Sequence, residues 1–281
     1  MTGTYEFLEM ADGEKIRLGL FIPEKQPKGV IQLIHGFGEY IGHYLTVIDY
    51  FVSENFACVM HDQRGHGILA AESPKKRGVA ENYQKFLDDA LEVREIITQR
   101  FPNLPIYLMG HSMGGNIILN LLLKEPKNQQ FYQKAIVESP WLDLAESPAK
   151  VIQILAKIGG KISPKLKVHT GLKLEAIAHD AELVKQVTKD GIYHDILSLR
   201  LFTQIKEAGE FAQENATALK IPTLLFCAER DGICSAPVIR NFAENVGDNL
   251  KFVEISDGYH ALHLDTQAQQ VLAQMRDFLE N

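Results

Sequence analysis

Cysteine is scarce in this chain: its 281 residues hold three, Cys58, Cys227 and Cys234. Three cysteines in apolar settings exclude a disulfide framework, so a reducing cytoplasm is the expected location. Positive charge is not in excess either. The 29 Lys and Arg stand against 36 Asp and Glu, a formal net charge of -7. That balance argues against nucleic acid and anionic membrane surfaces as main partners. No basic run exceeds Lys75-Lys76-Arg77, which reads as a solvated loop. No apolar stretch approaches the length of a bilayer span. The start, Met1 to Phe21, has neither a basic opening nor an apolar core, so a signal peptide is not expected. Internal repeats and low-complexity segments are missing too. What remains is an ordinary globular composition, 46% hydrophobic and 23% charged. It suits one large α/β domain with an insertion, or two small domains.

Residues Met1 to Phe21 alternate charged and apolar around Ala11-Asp12-Gly13 and read as a β-hairpin. Gly29 to Ile34 is a buried strand ending at His35-Gly36-Phe37-Gly38, with a helix over Tyr44 to Ser53. Phe56 to Met60 is the next strand, ending at Asp62-Gln63-Arg64-Gly65-His66-Gly67. A helix over Tyr83 to Arg100 places Phe86, Ala90, Val93 and Ile97 on one face. Strands follow at Leu104 to Met109, Lys134 to Glu138, Thr223 to Cys227 and Leu250 to Ile255. Short apolar strands alternating with helices predict an α/β fold, a mostly parallel sheet covered on both faces. Residues 140–220 break the rhythm and show no strand. Val151, Ile152, Leu155 and Ile158 share a helical face, with Lys150, Lys157 and Lys161 off it, and a second helix is expected near Leu197 to Phe211. The division is therefore a core of 1–139 and 221–281 with an all-helical cap, 140–220, over the C-terminal strand edge, where sites in open α/β sheets lie. An ordinary helical extension of the core is the alternative.

Gly110-His111-Ser112-Met113-Gly114 lies between the strand ending at Met109 and the helical run Asn116 to Leu123. Gly-x-Ser-x-Gly in that setting is a nucleophile elbow, whose sharp turn needs small residues two places either side of the serine. A serine hydroxyl needs a base, and a histidine base needs a carboxylate to fix its tautomer. After such an elbow the acid and the base follow in that order. Asp231 and His260 do so, each just past a strand that ends at the same sheet edge as Ser112. His263 rivals His260, which is favoured because Gly258 permits the tight loop. Glu229 and Asp257 rival Asp231, which is favoured because Gly232 lets a short carboxylate swing inward. The oxyanion donors map to the backbone N–H groups of Met113 and Phe37. His35, His61, His66 and His111 read as structural, and His169, His179 and His194 as solvent-exposed, with no metal-ligand spacing. No metal or organic cofactor is expected.

With these residues in place, the chain resembles the α/β-hydrolase superfamily, and within it the monoacylglycerol lipase and lysophospholipase group, close to the serine aminopeptidase-like hydrolases. The resemblance rests on His35-Gly36-Phe37-Gly38-Glu39 with Tyr44, Asp62 to Gly67, Gly110 to Gly115, Asp231-Gly232-Ile233-Cys234 and Tyr259-His260-Ala261-Leu262-His263. It implies an eight-stranded, mostly parallel sheet with helices on both faces and a helical cap. It also implies that His260 is the base, that Glu39 and His263 face the polar head of the substrate, and that the Asp62–Gly67 loop supports the site. His43 stands where such lipases often carry arginine, Phe37 is bulkier than the usual residue, and the cap matches nothing in the group.

The expected function is serine carboxylic-ester hydrolysis of single-chain acyl esters, a monoacylglycerol or lysophospholipid, through an acyl-enzyme. Membrane contact would be at most peripheral, through the cap. Two rivals stand beside it. An aminopeptidase of the same fold would need a cap carboxylate for the substrate amine: Glu146, Glu175, Glu182 or Glu207. A non-catalytic binding protein would keep the fold alone. Cys234 is either a thiol-sensitive site or a small packing residue. Oligomeric state is not legible in the sequence.

Overall fold

The computed structural model describes residues 2–281; Met1 and the side chains of Thr2, Lys150 and Leu155 lie outside the description. The hairpin joins β1 (Thr2–Glu9) to β2 (Lys15–Ile22), turning where the Met10 carbonyl accepts from Gly13 N at 2.8 Å. Then come β3 (Val30–Ile34), a single 3-10 turn (Ile41–Tyr44), α1 (Leu45–Ser53), β4 (Ala57–His61), the short α2 (Gly67–Glu72) and α3 (Gln84–Arg100). The centre of the fold is β5 (Ile106–His111), α4 (Met113–Lys124) and β6 (Lys134–Glu138). The segment before the next core strand carries α5 (Lys150–Ile162), β7 (Lys167–His169), α6 (Ala181–Thr188), β8 (Ile196–Ser198) and α7 (Leu199–Glu214). The chain ends with β9 (Thr223–Ala228), α8 (Ala236–Val246), β10 (Leu250–Ile255) and α9 (Ala268–Glu280).

Eight strands form one sheet in the order β1-β2-β4-β3-β5-β6-β9-β10. β1, β2 and β4 pair antiparallel, and β4 to β10 run parallel. Alternate strand residues feed two cores, because successive side chains leave opposite faces of the pleat. On one face Val30, Leu108, Val137 and Leu225 meet α3, α4, α7 and α8, and Phe86, Ala90, Val93 and Ile97 fill it as the helical period predicted. On the other face Ile31, Met109, Ile136 and Phe226 meet α1 and α9. This is the α/β-hydrolase sheet that the sequence implied.

The inserted segment differs from the expectation. It is not all-helical: β7 and β8 pair antiparallel, Lys167 opposite Ser198. Strands of three residues are too short to show a period of two. The amphipathic face of α5 is real, but protein does not cover it. Val151 is 65% exposed, Ile154 57% and Ile162 80%, and α7 packs against the opposite side of α5.

The elbow fixes how β5 meets α4. A Cβ at Gly114 would overlap the carbonyl oxygen of Ile34 on β3, and one at Gly110 would lie 2.8 Å from the Gly114 backbone. Helix and sheet can be this close only without side chains. Gly114→Ala should therefore destabilise the fold by about 1–3 kcal/mol or more, seen as a lower urea midpoint. An unchanged midpoint would refute the close approach.

Candidate active site

Ser112 occupies the turn between β5 and α4 with φ 54° and ψ -117°. Left-handed backbone at a non-glycine residue is costly and persists only where neighbours over-determine it. Here Ser112 N donates to the Glu138 carbonyl at 2.9 Å, and the Ser112 carbonyl accepts from Asn116 N and Trp141 N, both at 3.0 Å. The side chain is thereby fixed above the C-terminal edge of the sheet.

Asp231 and His260 arrive at the same edge from the loops after β9 and β10. Asp231 Oδ1 accepts from Ile233 N and Cys234 N, both at 2.8 Å, which aims Oδ2 at His260 Nδ1, also 2.8 Å away. With a carboxylate opposite, Nδ1 carries the hydrogen and Nε2 is left as the basic atom. Burial pulls the ring toward neutrality, but the Asp231 charge outweighs it, helped by Glu39 and Glu138, so His260 titrates above the ordinary 6.5. The loop itself is held by the insertion: His260 N donates to the Ala176 carbonyl at 3.2 Å and Ala261 N to the Ile177 carbonyl at 2.8 Å. The rivals are engaged elsewhere. Glu229 accepts from Ser256 Oγ at 2.9 Å and Asp257 N at 2.8 Å, and Asp257 pairs with Arg230 at 2.5 Å.

Phe37 and Met113 lie on the loop after β3 and at the first turn of α4. Among the described residues no protein acceptor takes either amide. The bulk of Phe37 is turned away into an aromatic cluster, edge-on to His66 and His194, both at 5.8 Å, and to Trp141 at 6.3 Å. His194 corrects the expectation of exposure. It is buried, takes Gly65 O at 2.8 Å on its ring and donates from its backbone to Gly38 O at 3.3 Å. Burial holds His194 and His35 at about 4, so both are neutral hydrogen-bonding groups. The loop after β4 supports this cluster: Arg64 forks onto Asp89 at 2.6 and 2.7 Å, and its carbonyl takes His66 Nδ1 at 2.9 Å.

Glu39 Oε2 accepts from Gly36 N and the Tyr44 hydroxyl, both at 2.7 Å. Burial works against its charge, yet His111, His263, His43 and the Tyr44 hydroxyl bring it down to about 2. Glu39 borders a cavity of about 500 Å³ that also opens onto Ser112 and His260. Its far wall is apolar: Trp141, Leu144, Ile177, Leu197, Phe202 and Ile233. His263 does not border this cavity. It is buried behind it, stacked on Tyr44 at 5.0 Å, with Nδ1 on Glu138 Oε1 at 2.9 Å, so the expected head-group contact is replaced by a carboxylate pair. His43 pairs with Asp190 of the insertion at 3.1 Å. Cys234 is buried against the Ser112 side chain, and burial pushes its thiol well above the usual range. An un-ionised thiol there packs rather than reacts. Two buried trios approach closely enough to suggest a cation, His111–Glu138–His263 and Asp231–Cys234–His260. Hydrogen bonds to one carboxylate account for each approach: His263 N and Nδ1 donate to Glu138, with His111 Nδ1 3.2 Å away, and Cys234 N and His260 Nδ1 bond Asp231.

Glu138 and Tyr193 are the residues that sequence reasoning missed. Tyr193 lies on the cavity wall with its buried hydroxyl unpartnered among the described residues. Glu138 belongs to no motif. Only the parallel pairing of His111 with Glu138 brings it to the site.

The sheet, the elbow and the inserted segment define an α/β-hydrolase. More narrowly, the chain belongs to the family described as "Serine aminopeptidase, S33", which residues 25–267 match. It is a hydrolase of the lipase and esterase kind. It is 26% identical over 262 residues to "Monoacylglycerol lipase" of Mycolicibacterium smegmatis, covering 92% of this chain and 91% of that protein. It is 28% identical over 258 residues to "Phospholipase YtpA" of Bacillus subtilis, covering 91% and 96%. The fold is shared with the monoacylglycerol lipase of Paleococcus ferrophilus, TM-score 0.83 at 24% identity, covering 94% of this chain and 98% of that one. It is also shared with the Saccharomyces cerevisiae monoglyceride lipase bound to a substrate analog, TM-score 0.86 at 22% identity, covering 98% and 94%.

The electrostatics predict a measurable asymmetry among the histidines. Followed by NMR, the His260 ring should titrate above 6.5 and fall below its wild-type value in Asp231→Asn, while His35 and His194 stay neutral to about 4. A His260 titration at or below 6.5 in the wild-type chain contradicts the assigned geometry.

Proposed function

We propose that this protein hydrolyses single-chain acyl esters, with monoacylglycerols as the preferred substrates, through a serine acyl-enzyme. One observation carries the reading: Ser112 and His260, the latter backed by Asp231, open onto a mostly apolar cavity of about 500 Å³. Ser112 Oγ attacks the ester carbonyl carbon and His260 Nε2 takes the hydroxyl proton. The oxyanion is held by the N–H groups of Phe37 and Met113, which have no other acceptor among the described residues. The tetrahedral adduct collapses, the C–O bond to the alcohol breaks, and His260 returns the proton to the leaving oxygen. Water then attacks the acyl-enzyme with His260 again as base, freeing the fatty acid and Ser112. No metal or organic cofactor takes part in these steps.

Residues 140–220 act as the cap, with the acyl chain lying against Trp141, Leu197 and Phe202. The alcohol lies toward Glu39, whose Oε1 has no hydrogen-bond partner among the described residues while Oε2 is occupied. A carboxylate held ionised favours a neutral polyol over a phosphodiester, because a second negative charge beside it is repelled. Glycerol esters are therefore preferred to lysophospholipids. Of the carboxylates considered for an aminopeptidase, only Glu146 lines the cavity, and Lys173 pairs with it at 2.8 Å. Among the described residues no other carboxylate of the insertion lines the cavity to receive a substrate amine.

No helix among the described residues is long and apolar enough to cross a membrane. The exposed face of α5, with Leu166 and Val168 beside it, instead forms an apolar patch next to the cavity wall at Ile152 and Val168. It suits peripheral contact with the lipid surface that holds the substrate.

Ser112→Ala should reduce monoacylglycerol hydrolysis by about four orders of magnitude or more and abolish fluorophosphonate labelling. Wild-type turnover by that variant overturns the mechanism. Glycerol and phosphocholine esters of one acyl chain should differ in favour of glycerol, and Glu39→Gln should narrow the gap. A phosphocholine preference overturns the head-group assignment. Ile162→Asp should weaken binding to phospholipid vesicles and leave turnover of a soluble p-nitrophenyl ester unchanged; undiminished vesicle binding removes α5 from the contact.

A further inference from the structure

Glu138 is the most heavily committed buried charge that the mechanism above does not use. It ends β6, directly opposite His111 in the parallel register, and is fully buried. Its carbonyl holds the nucleophile's backbone, accepting from Ser112 N at 2.9 Å. Its carboxylate Oε1 faces two rings, His263 Nδ1 at 2.9 Å and His111 Nδ1 at 3.2 Å. Oε2 has no hydrogen-bond partner among the described residues. A buried carboxylate with one unsatisfied oxygen is expensive, so a purely structural role is poorly served by it.

The His111 ring links His260 to His263. It lies 4.6 Å from His260 and 5.0 Å from His263, centroid to centroid. One residue therefore touches the nucleophile through the backbone and the neighbours of the base through its side chain. Water is largely excluded here, so its charge is felt at His260 with little screening. Desolvation opposes ionisation of Glu138, but His263 and His111 hold its carboxyl well below the usual range.

We propose that Glu138 is a positioning residue for the base, a second carboxylate beside Asp231. It holds the His263 ring by a hydrogen bond, lies against the His111 ring that packs on His260, and stabilises the imidazolium through space. Asp231 sets the His260 tautomer by direct contact, and Glu138 adds field without contact. The other titratable groups around His260 are Asp231 and Cys234 from the loop after β9, His111 from β5 and Glu39 from the loop after β3. Those around Glu138 are His111, His263 and Tyr44. Among them Glu39 and Asp231 also carry negative charge, so the imidazolium of the reaction forms inside a ring of anions.

This inference rests on His260 being the base, and the test separates the two. Glu138→Gln keeps the size of the side chain and removes its charge. Without that charge the imidazolium is less stable, so the His260 titration, followed by ring 15N resonances, should move to lower pH by roughly half a unit to one unit. The acid limb of kcat/KM should move with it while KM stays within about twofold. Glu138→Asp, which retains the charge, should keep the acid limb near its wild-type place. A folded Glu138→Gln protein whose His260 titrates as in wild type overturns the proposal. If the ring titration moves and the acid limb does not, the base assignment fails instead. Should the glutamine variant not fold, wild-type protein labelled with 13C at glutamate carboxyls decides. The Glu138 resonance, identified through its contact with the His263 ring, should stay ionised throughout the His260 titration, and a protonated carboxyl there overturns the proposal.

Discussion

The backbone of Ser112 is the constraint on which the rest of this molecule depends. A left-handed φ at a serine is sustained only because β3, β6 and α4 all close on the same turn. The closeness in turn requires Gly110 and Gly114, since any side chain there would meet the Ile34 carbonyl or the helix itself. From that turn follow the position of the hydroxyl above the sheet edge, the free amide of Met113 and the parallel register that sets His111 against Glu138. The strain is local, and the packing that maintains it spans three strands.

Charge is handled in two opposite ways within a few ångströms. Near Phe37 the interior is dry and uncharged: His35, His66 and His194 are all pushed toward neutrality by burial and serve as hydrogen-bonding rings. Near His260 the carboxylates Asp231 and Glu138 are buried and Glu39 is part-buried, and they pair with N–H donors, imidazole rings or a tyrosine hydroxyl. Buried anions are tolerated only with such partners. The neutral half suits the proposed oxyanion loop, whose backbone amide stays free, and the anionic half suits the proposed base, whose ring accepts a proton. The boundary between them runs through the Gly36–Glu39 segment, which contributes to both.

Local motifs were legible in the sequence because they are enforced locally. The elbow needs its glycines, Asp231 and His260 need the strand ends before them, and α3 needs its apolar period. These appear where the sequence placed them. Whatever depends on register or on distant cover was not legible. Glu138 sits at the end of an unremarkable apolar strand, and only pairing with β5 gives it a role. His263 was expected at the substrate head on the family resemblance alone, yet it is buried away from the cavity lining and bonded to Glu138. His194 was expected outside because it lies in the insertion and fits no metal spacing, and the aromatic cluster at Phe37 takes it in. Helix α5 shows the reverse: its apolar face signals a helix but does not say what the face meets, and no protein covers it.

The backbone hydrogen bonds from His260 and Ala261 to Ala176 and Ile177 tie the loop of the proposed base to the inserted segment. His179 extends the tie, stacking on Tyr259 at 3.9 Å and bonding Asp265 at 2.8 Å. A rigid-body swing of the whole insertion would therefore pull the imidazole away from Ser112. Residues 174–179 thus do more than wall the cavity: they form part of the template on which the loop of the proposed base is folded.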